Sequence, residues 1–267
     1  MQALIHGFQM TYTDEGQGLP VLLFIHGFPL SRGAWDKQVR AFAQSHRVIA
    51  PDLRGLGESG VPAGPVTMSR FADDLVALLR GLTIGPVVLI GHSMGGYVAL
   101  NWVDRHPDLV SGLVLVGTRA GADTVEGAGK RLAAAAKVRT EGAAFVIDDM
   151  APKMLAAGHQ DPDLARQVRA LMEPASPPGL ANALEGMADR ADVTSSLARI
   201  GVPTLVVTGT EDTLIPPSES ALLASHIAGA ELELIPGAGH LAAFEQPEAF
   251  NRLLQAWLVR AFRSVAP

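Results

Sequence analysis

The sequence predicts an α/β fold with a mostly parallel sheet and helices on both of its faces. Short apolar runs of the buried-strand type alternate with amphipathic helical patterns along most of the 267 residues. Strand, helix and strand in repetition imply parallel pairing through right-handed crossovers. Between about residues 118 and 198, several helical patterns follow one another with no convincing strand. We therefore expect an eight-stranded sheet with one inserted group of helices.

Eight segments carry the strand pattern, and the first two form a short antiparallel pair around Gly7. The other six are runs of β-branched and aliphatic residues, as buried parallel strands require. The predicted strands are residues 3–5, 8–13, 21–25, 48–50, 87–90, 113–116, 204–208 and 231–235. The helical patterns outside the inserted region cover residues 34–43, 68–82, 95–105, 217–226 and 245–262.

The inserted helices divide the chain into a core and a cap. We assign residues 1–117 and 199–267 to the core and residues 118–198 to a helical cap. The cap carries helical patterns at residues 130–140, 143–155, 163–172 and 180–189. We expect it to lie over the carboxyl ends of the strands, where ligands bind in open α/β sheets.

Composition excludes several classes of protein. Lys and Arg number 21 against 27 Asp and Glu, a net charge of −6, and no basic block is present, so we expect no nucleic-acid partner. The chain has no cysteine, which excludes disulfides, thiolate metal sites and a cysteine nucleophile. No apolar run approaches the roughly 18 residues that a membrane helix needs, and the first residues lack a secretory pattern. We expect a cytoplasmic protein with no metal and no other cofactor, and the sequence does not specify its oligomeric state.

The most informative motif is Gly91-His92-Ser93-Met94-Gly95, where a predicted strand gives way to a predicted helix. A serine at such a turn exposes its hydroxyl, and glycine is needed on both flanks because a side chain there would clash. The helix directs its first N–H groups and its positive dipole end at charge that develops beside Ser93. The motif also fits a serine that only caps a helix, so a nucleophile hypothesis requires partners elsewhere.

A serine nucleophile needs a general base, usually a histidine that a carboxylate holds in the right tautomer. Of the eight histidines, His240 is the best placed, because it follows the last predicted strand through a glycine-rich turn. Asp212 follows the preceding strand, so its turn should lie beside that of His240. Glu211 and Asp123 are the alternatives for the acid.

The segment His26-Gly27-Phe28-Pro29 follows another predicted strand. Acyl transfer passes through an oxyanion, which needs two preorganised N–H donors. We predict that the backbone N–H groups of Met94 and Phe28 form this oxyanion hole, since Gly27 lets the backbone approach and Pro29 stiffens the loop. A tight turn with a buried aromatic ring fits the same residues.

These motifs resemble, in order and spacing, those of the α/β-hydrolase superfamily, and the match spans nearly the whole chain. The segments that carry the resemblance are His26-Gly27-Phe28-Pro29, Asp52-Leu53-Arg54-Gly55-Leu56-Gly57-Glu58-Ser59, Gly91-His92-Ser93-Met94-Gly95-Gly96, Gly209-Thr210-Glu211-Asp212 and Gly237-Ala238-Gly239-His240. The resemblance implies a catalytic triad of Ser93, Asp212 and His240, and it places the inserted helices at the position of the family's cap. The chain is most similar to bacterial carboxylesterases and 3-oxoadipate enol-lactonase-like proteins. Serine at position 93 argues against haloalkane dehalogenases and epoxide hydrolases, which carry aspartate there.

The motifs and the resemblance together predict an enzyme that hydrolyses carboxylic esters of small to medium acyl substrates. Three alternatives stay open: an enol-lactonase acting on a carboxylated lactone, a cofactor-free haloperoxidase or perhydrolase, and a ligand receptor with little turnover. The candidate pocket residues from apolar positions are Phe145, Met150, Met154, Leu214 and Leu241. Arg119 is a candidate partner for a substrate carboxylate, or alternatively for Asp123 or Glu126.

Overall fold

The structure is a computed structural model that describes residues 1–62, 64 and 66–262. In this part of the chain the strands are β1 (Gln2–Ile5), β2 (Phe8–Glu15), β3 (Val21–Ile25), β4 (Val48–Pro51), β5 (Val87–His92), β6 (Val110–Val116), β7 (Thr204–Gly209) and β8 (Glu231–Ile235). They form one sheet in the order β1-β2-β4-β3-β5-β6-β7-β8. β2 is antiparallel to β1 and β4, and the other neighbouring strands are parallel.

The α-helices of the described residues lie between and after these strands. They are α1 (Asp36–Phe42), α2 (Met68–Gly81), α3 (Met94–Arg105), α4 (Val125–Glu141), α5 (Ala144–Met150), α6 (Pro162–Ala170), α7 (Pro177–Ala188), α8 (Pro217–His226), α9 (Ala242–Glu245) and α10 (Pro247–Ala261). Helices α4 to α7 connect β6 to β7, and α4 packs against α7.

Helices cover the sheet on both faces, which explains why β3 and β5 are buried at every position. On one face α2 and α3 bury Phe71 and Trp102 against the sheet. On the other face Trp35, which precedes α1, and Phe250 of α10 pack with their ring centroids 6.0 Å apart. The central strands are therefore held rigidly, and their carboxyl ends give fixed positions to the residues that follow them.

All eight predicted strands are present, and the predicted mostly parallel α/β sheet is confirmed. The predictions were less accurate for helices that contain a proline. The helix predicted at residues 143–155 ends at Met150, because Pro152 cannot continue it. The helix predicted at residues 245–262 begins instead at Pro247, which disfavours helical geometry in the residue before it, and it ends at Ala261.

Candidate active site

Ser93 lies on a sharp turn between β5 and α3. Its φ of 52° and ψ of −116° are unfavourable for a residue with a Cβ atom. The backbone here is so crowded that a Cβ on Gly91 would lie 2.4 Å from the carbonyl oxygen of Gly95. A Cβ on Gly95 would lie 2.3 Å from the carbonyl oxygen of Ile25. The turn places Ser93 at the N-terminus of α3, on the wall of a cavity of about 240 Å³.

His240 and Asp212 are joined by a hydrogen bond, because they follow the neighbouring parallel strands β8 and β7. His240 Nδ1–H donates to Asp212 Oδ2 over 2.8 Å. Asp212 Oδ1 accepts the backbone N–H groups of Leu214 and Ile215, each at 2.9 Å. Both side chains are buried. The carboxylate is thus fixed by three hydrogen bonds, and it holds the imidazole in the tautomer whose Nε2 can accept a proton.

The two alternative carboxylates lie elsewhere. Glu211 is exposed. Asp123 is buried and forms ion pairs with Arg119 and Arg131, while Arg190 Nη2 lies 3.5 Å from its Oδ1. The geometry therefore favours Asp212 as the partner of the histidine.

His26 connects the loop that contains Phe28 to the loop after β4. Its buried ring donates from Nδ1 to the carbonyl oxygen of Gly27 over 2.8 Å and accepts the N–H of Leu53 at Nε2 over 3.0 Å. Only a neutral imidazole has one donor and one acceptor. Burial lowers the pKa of His26, and the nearby Asp52 carboxylate opposes this effect in part. The neutral ring fixes the backbone just before Phe28.

His92 packs against His240 and hydrogen-bonds to its backbone. The two rings lie 4.7 Å apart between centroids, and His92 Nε2–H donates to the backbone carbonyl oxygen of His240 over 3.0 Å. Burial, followed by the proximity of His240, holds the pKa of His92 well below its ordinary value. His92 is therefore neutral at physiological pH, and it fixes the backbone of His240.

Mild acid should destabilise the protein, because His26 and His92 are buried in neutral form. Their pKa values in the folded state lie below the unfolded value of 6.5, so below that pH the unfolded chain binds more protons. Burial of the two neutral rings therefore costs no stability above pH 6.5, and the folded state loses stability as the pH falls below that value. The free energy of unfolding should decrease by up to about 1.4 kcal/mol per pH unit for each histidine.

Thermal unfolding between about pH 7.5 and pH 4.5 measures this dependence. The variant His92→Gln should show a shallower dependence of the unfolding midpoint on pH than the wild type. An unfolding midpoint that does not change over this range would contradict the neutral burial of both rings.

The two predicted oxyanion donors belong to residues near Ser93: Phe28 lines the same cavity, and Met94 follows Ser93 in the chain. Met94 is the first residue of α3, so its N–H has no partner within the helix. Gly27 approaches so closely that a Cβ on it would lie 3.0 Å from the Cβ of Ser93. In the part of the chain that the structure describes, neither N–H donates to another backbone group. Both N–H groups are thus left without a backbone acceptor among these residues, as an oxyanion hole requires.

The cavity beside Ser93 has both apolar and charged walls. Of the residues proposed from the sequence, Phe28, Arg119, Met150 and Leu214 line it together with Ser93 and His240. It is also lined by residues that the sequence analysis did not identify: Tyr97, Arg131, Asp149, Lys153, Met187 and Ile215. Tyr97 could have been predicted from the sequence, because it lies one helical turn after Ser93 and therefore on the same face of α3.

Three residues predicted as pocket walls lie outside this lining. Phe145 packs beneath Lys137, whose Nζ lies 4.4 Å from the ring centroid. Met154 and Leu241 are buried in a separate apolar cluster, where the N–H of Leu241 donates to the carbonyl oxygen of Met154 over 2.7 Å. A continuous helix would place Met154 one turn beyond Met150 on the same face. Because α5 ends at Met150, Met154 does not lie on the same helix face and does not reach the cavity.

Two further features concern metals and membranes. Among the described residues, no group of three or more His, Asp or Glu side chains has the arrangement of a metal site. No helix within residues 1–62 and 66–262 is long and apolar enough to cross a membrane.

Comparison with known proteins places the chain in a family. The family model of the alpha/beta hydrolase fold matches residues 20–247. The chain belongs to this family. A thermophilic esterase from Thermogutta terrifontis, solved with malate bound, is 38% identical, with 98% of each chain covered and a TM-score of 0.92. The 3-oxoadipate enol-lactonase 2 of Acinetobacter baylyi is 29% identical, with 94% of this chain and 93% of that protein covered.

A bromoperoxidase from Bacillus anthracis is also similar, at 26% identity with a TM-score of 0.85, and the match covers 97% of this chain and 99% of that one. The resemblance of the motifs to those of esterases and enol-lactonases is thus confirmed. This α/β hydrolase is an enzyme of the hydrolase class.

Proposed function

We propose that this hydrolase cleaves carboxylic esters of small to medium acyl substrates through a triad of Ser93, His240 and Asp212. The observation that carries the proposal is the hydrogen bond from His240 Nδ1 to the buried carboxylate of Asp212, in a histidine that lines the same cavity as Ser93. A nucleophile, a base and an orienting acid are the groups that acyl transfer requires. The similarity to the Thermogutta esterase supports this reaction class.

The first half of the reaction forms an acyl-enzyme. Ser93 Oγ attacks the ester carbonyl carbon while its proton passes to Nε2 of His240, and Asp212 stabilises the imidazolium that results. The carbonyl oxygen becomes an oxyanion and accepts hydrogen bonds from the N–H groups of Phe28 and Met94. The positive end of the dipole of α3 adds to this stabilisation. Collapse of the intermediate breaks the ester bond, and His240 donates this proton to the alkoxide oxygen, which leaves as the alcohol.

The second half releases the acid. A water molecule attacks the acyl-enzyme carbonyl while His240 Nε2 accepts its proton, and the same two N–H groups stabilise the second oxyanion. Collapse then returns the proton to Ser93 Oγ and frees the carboxylic acid. No other group is needed for the atoms and protons to balance.

We further propose that residues 118–198 form a cap domain over a core made of residues 1–117 and 199–267. Arg131 of α4, Met150 of α5 and Met187 of α7 line the cavity together with Ser93, which supports this division. The last five residues of the proposed core lie outside the described residues. The cap would then determine which substrates fit.

A series of p-nitrophenyl esters with increasing acyl length tests the proposed reaction. The cavity of about 240 Å³ is smaller than most drug-sized ligand sites. We therefore expect the highest kcat/KM for acyl chains of about two to four carbons, with a decline for longer chains. If no ester is hydrolysed faster by the wild type than by the Ser93→Ala variant, the proposed function is wrong.

The charges of the cavity favour a second candidate, hydrolysis of a lactone that carries a carboxylate. Arg119, Arg131 and Lys153 line the cavity and outnumber Asp149, its one acidic lining residue among those described. Lys153 Nζ has its own carboxylate partner, Asp149 Oδ1, at 2.5 Å. Arg119 and Arg131 share the one carboxylate of Asp123, so they are the groups best able to attract an anion. The similarity to the Acinetobacter enol-lactonase supports this candidate.

The variant Arg119→Ala distinguishes a neutral ester from a carboxylated substrate. A charge-assisted hydrogen bond to a carboxylate is worth roughly 1.5–3 kcal/mol, so the KM of a carboxylated lactone should rise about 10- to 150-fold. The KM of a neutral p-nitrophenyl ester should change little. Steady-state kinetics with both substrates measures the difference. If Arg119 only holds Asp123 in place, both substrates will be affected equally and the lactone candidate is wrong.

A further inference from the structure

A second cavity lies next to the one that contains Ser93. Its volume is about 210 Å³, and its walls come from the start of α2, the middle of α3 and the end of α7 with the residues that follow. Tyr97 and Arg119 line both cavities, and their side chains form the shared wall. Ser93, Asp212 and His240 are not part of the lining of the second cavity. A ligand bound there would therefore lie near the proposed triad without contacting it.

The walls of the second cavity contain hydrogen-bonding groups that have no partner among the described residues. The side chain of Arg190 is only 5% exposed, and its Nε and Nη2 are both buried and without a hydrogen bond. The atoms Arg119 Nε and Asn101 Oδ1 are also buried and form no hydrogen bond in the described part of the chain. Buried donors left unpaired are costly. Arg190 Nη2 still lies 3.5 Å from Asp123 Oδ1, but the Nε atoms of Arg190 and Arg119 have no hydrogen-bond partner among the described residues, and they indicate a position for an acceptor.

The rest of Arg190 is held firmly in place. Its Nη1 donates to the carbonyl oxygen of Ala120 over 3.3 Å. Its guanidinium carbon lies 3.9 Å from the ring centroid of Tyr97, a cation–π contact. The guanidinium is thus fixed against the wall that the two cavities share, and its unpaired nitrogens are preorganised for a ligand.

The charge around this wall is unbalanced. Three guanidinium groups, those of Arg119, Arg131 and Arg190, surround the single buried carboxylate of Asp123, which leaves an excess of positive charge. Burial lowers the pKa of Arg190, and the neighbouring Arg119 and Arg131 add to this effect. Asp189 also lines the second cavity, but it is exposed and therefore well hydrated. An anion with oxygen acceptors would compensate this excess of positive charge.

We propose that the second cavity binds a small oxyanion, a carboxylate or a phosphate, through the guanidinium groups of Arg190 and Arg119. The amide of Asn101 can turn its NH₂ group to the same anion, because the two ends of an amide interchange by rotation. A carboxylate in this position would fit the acid that ester cleavage releases, whereas phosphate would come from solution. The site itself does not depend on the proposed esterase activity.

Calorimetric titration of the full chain with sodium acetate, and separately with inorganic phosphate, tests the proposal. Ionic strength is held constant with sodium chloride, so that non-specific screening does not change. Arg190→Gln should weaken binding of the preferred anion by at least about tenfold, as expected for a charge-assisted hydrogen bond. Arg131→Gln is the matched control, because Arg131 also pairs with Asp123 but lines only the cavity of Ser93. Its loss removes a nearby charge but no hydrogen-bond donor of the second cavity, so this variant should weaken binding much less than Arg190→Gln does.

The outcomes separate the two cavities. Loss of binding in Arg131→Gln but not in Arg190→Gln would place the anion beside Ser93 and overturn the proposal, as would the absence of binding to the wild type. The stronger of the two probes identifies the class of oxyanion. If Arg190→Gln does not fold, Asn101→Leu places an apolar side chain in the same cavity from α3 and should also weaken binding. A crystal structure with selenate should show its anomalous signal within hydrogen-bond distance of Arg190, and a signal found only elsewhere would contradict the site.

Discussion

Replacing Ser93 with alanine is expected to lower kcat for ester hydrolysis by about 10⁶-fold, because the acyl-enzyme route is then lost. The fold should be unaffected. Ser93 has a positive φ, which strains any residue that carries a Cβ atom, and alanine and serine both do. The thermal midpoint of Ser93→Ala should therefore stay close to that of the wild type while turnover disappears. Steady-state rates with a short p-nitrophenyl ester measure the loss.

Covalent labelling gives an independent readout of the same assignment. A fluorophosphonate should modify the wild-type protein at Ser93 and should not modify Ser93→Ala. Ser225→Ala is the control, because Ser225 is exposed on α8 and should have no effect on labelling or rate. Full activity in Ser93→Ala, or a label on another serine, would show that the turn after β5 does not carry the nucleophile.

Strands β3 to β7 could be predicted from the sequence because a parallel sheet covered on both faces needs apolar residues at nearly every position. Val21–Ile25 is such a run, and all five of its residues are buried. The edge strand β8 instead alternates Glu with Leu and is only partly buried. Helix ends were harder to predict. The pattern of apolar residues continues past Met150, but Pro152 ends the helix sooner than the pattern does. The spacing of apolar residues therefore predicts which face of a helix is buried more reliably than it predicts where the helix ends.

The positions of Ser93, Asp212 and His240 could be predicted because each follows a strand, and parallel strands bring their carboxyl ends to one edge. The pocket walls could not be predicted in the same way. Arg131 and Lys153 reach the cavity through the packing of the inserted helices, which no local pattern encodes. Arg119 was expected to pair either with a substrate or with Asp123 or Glu126. In the structure it pairs with Asp123, while Glu126 pairs with Lys130.

Replacing Asp212 with asparagine is expected to lower kcat by about 10⁴-fold, the loss seen in triads where the histidine takes the wrong tautomer. The asparagine carbonyl oxygen can still accept the N–H groups of Leu214 and Ile215 that Oδ1 accepts now. Its NH₂ group would then face His240 Nδ1, which must become an acceptor. The proton moves to Nε2, and the imidazole can no longer accept the proton of Ser93.

The matched control for Asp212→Asn is Glu211→Gln, because Glu211 is the adjacent carboxylate and is exposed. We expect Glu211→Gln to keep nearly the full rate, so that the difference between the two variants measures the buried hydrogen bond to His240 rather than the loss of local charge. Asp123→Asn should behave differently again. It leaves three arginines without their carboxylate, and breaking such a buried pair typically costs about 3–5 kcal/mol of stability. Its main effect should be a lower unfolding midpoint, with kcat of the folded fraction preserved. If Glu211→Gln or Asp123→Asn instead loses about 10⁴-fold in kcat while Asp212→Asn stays active, the acid of the triad is not Asp212.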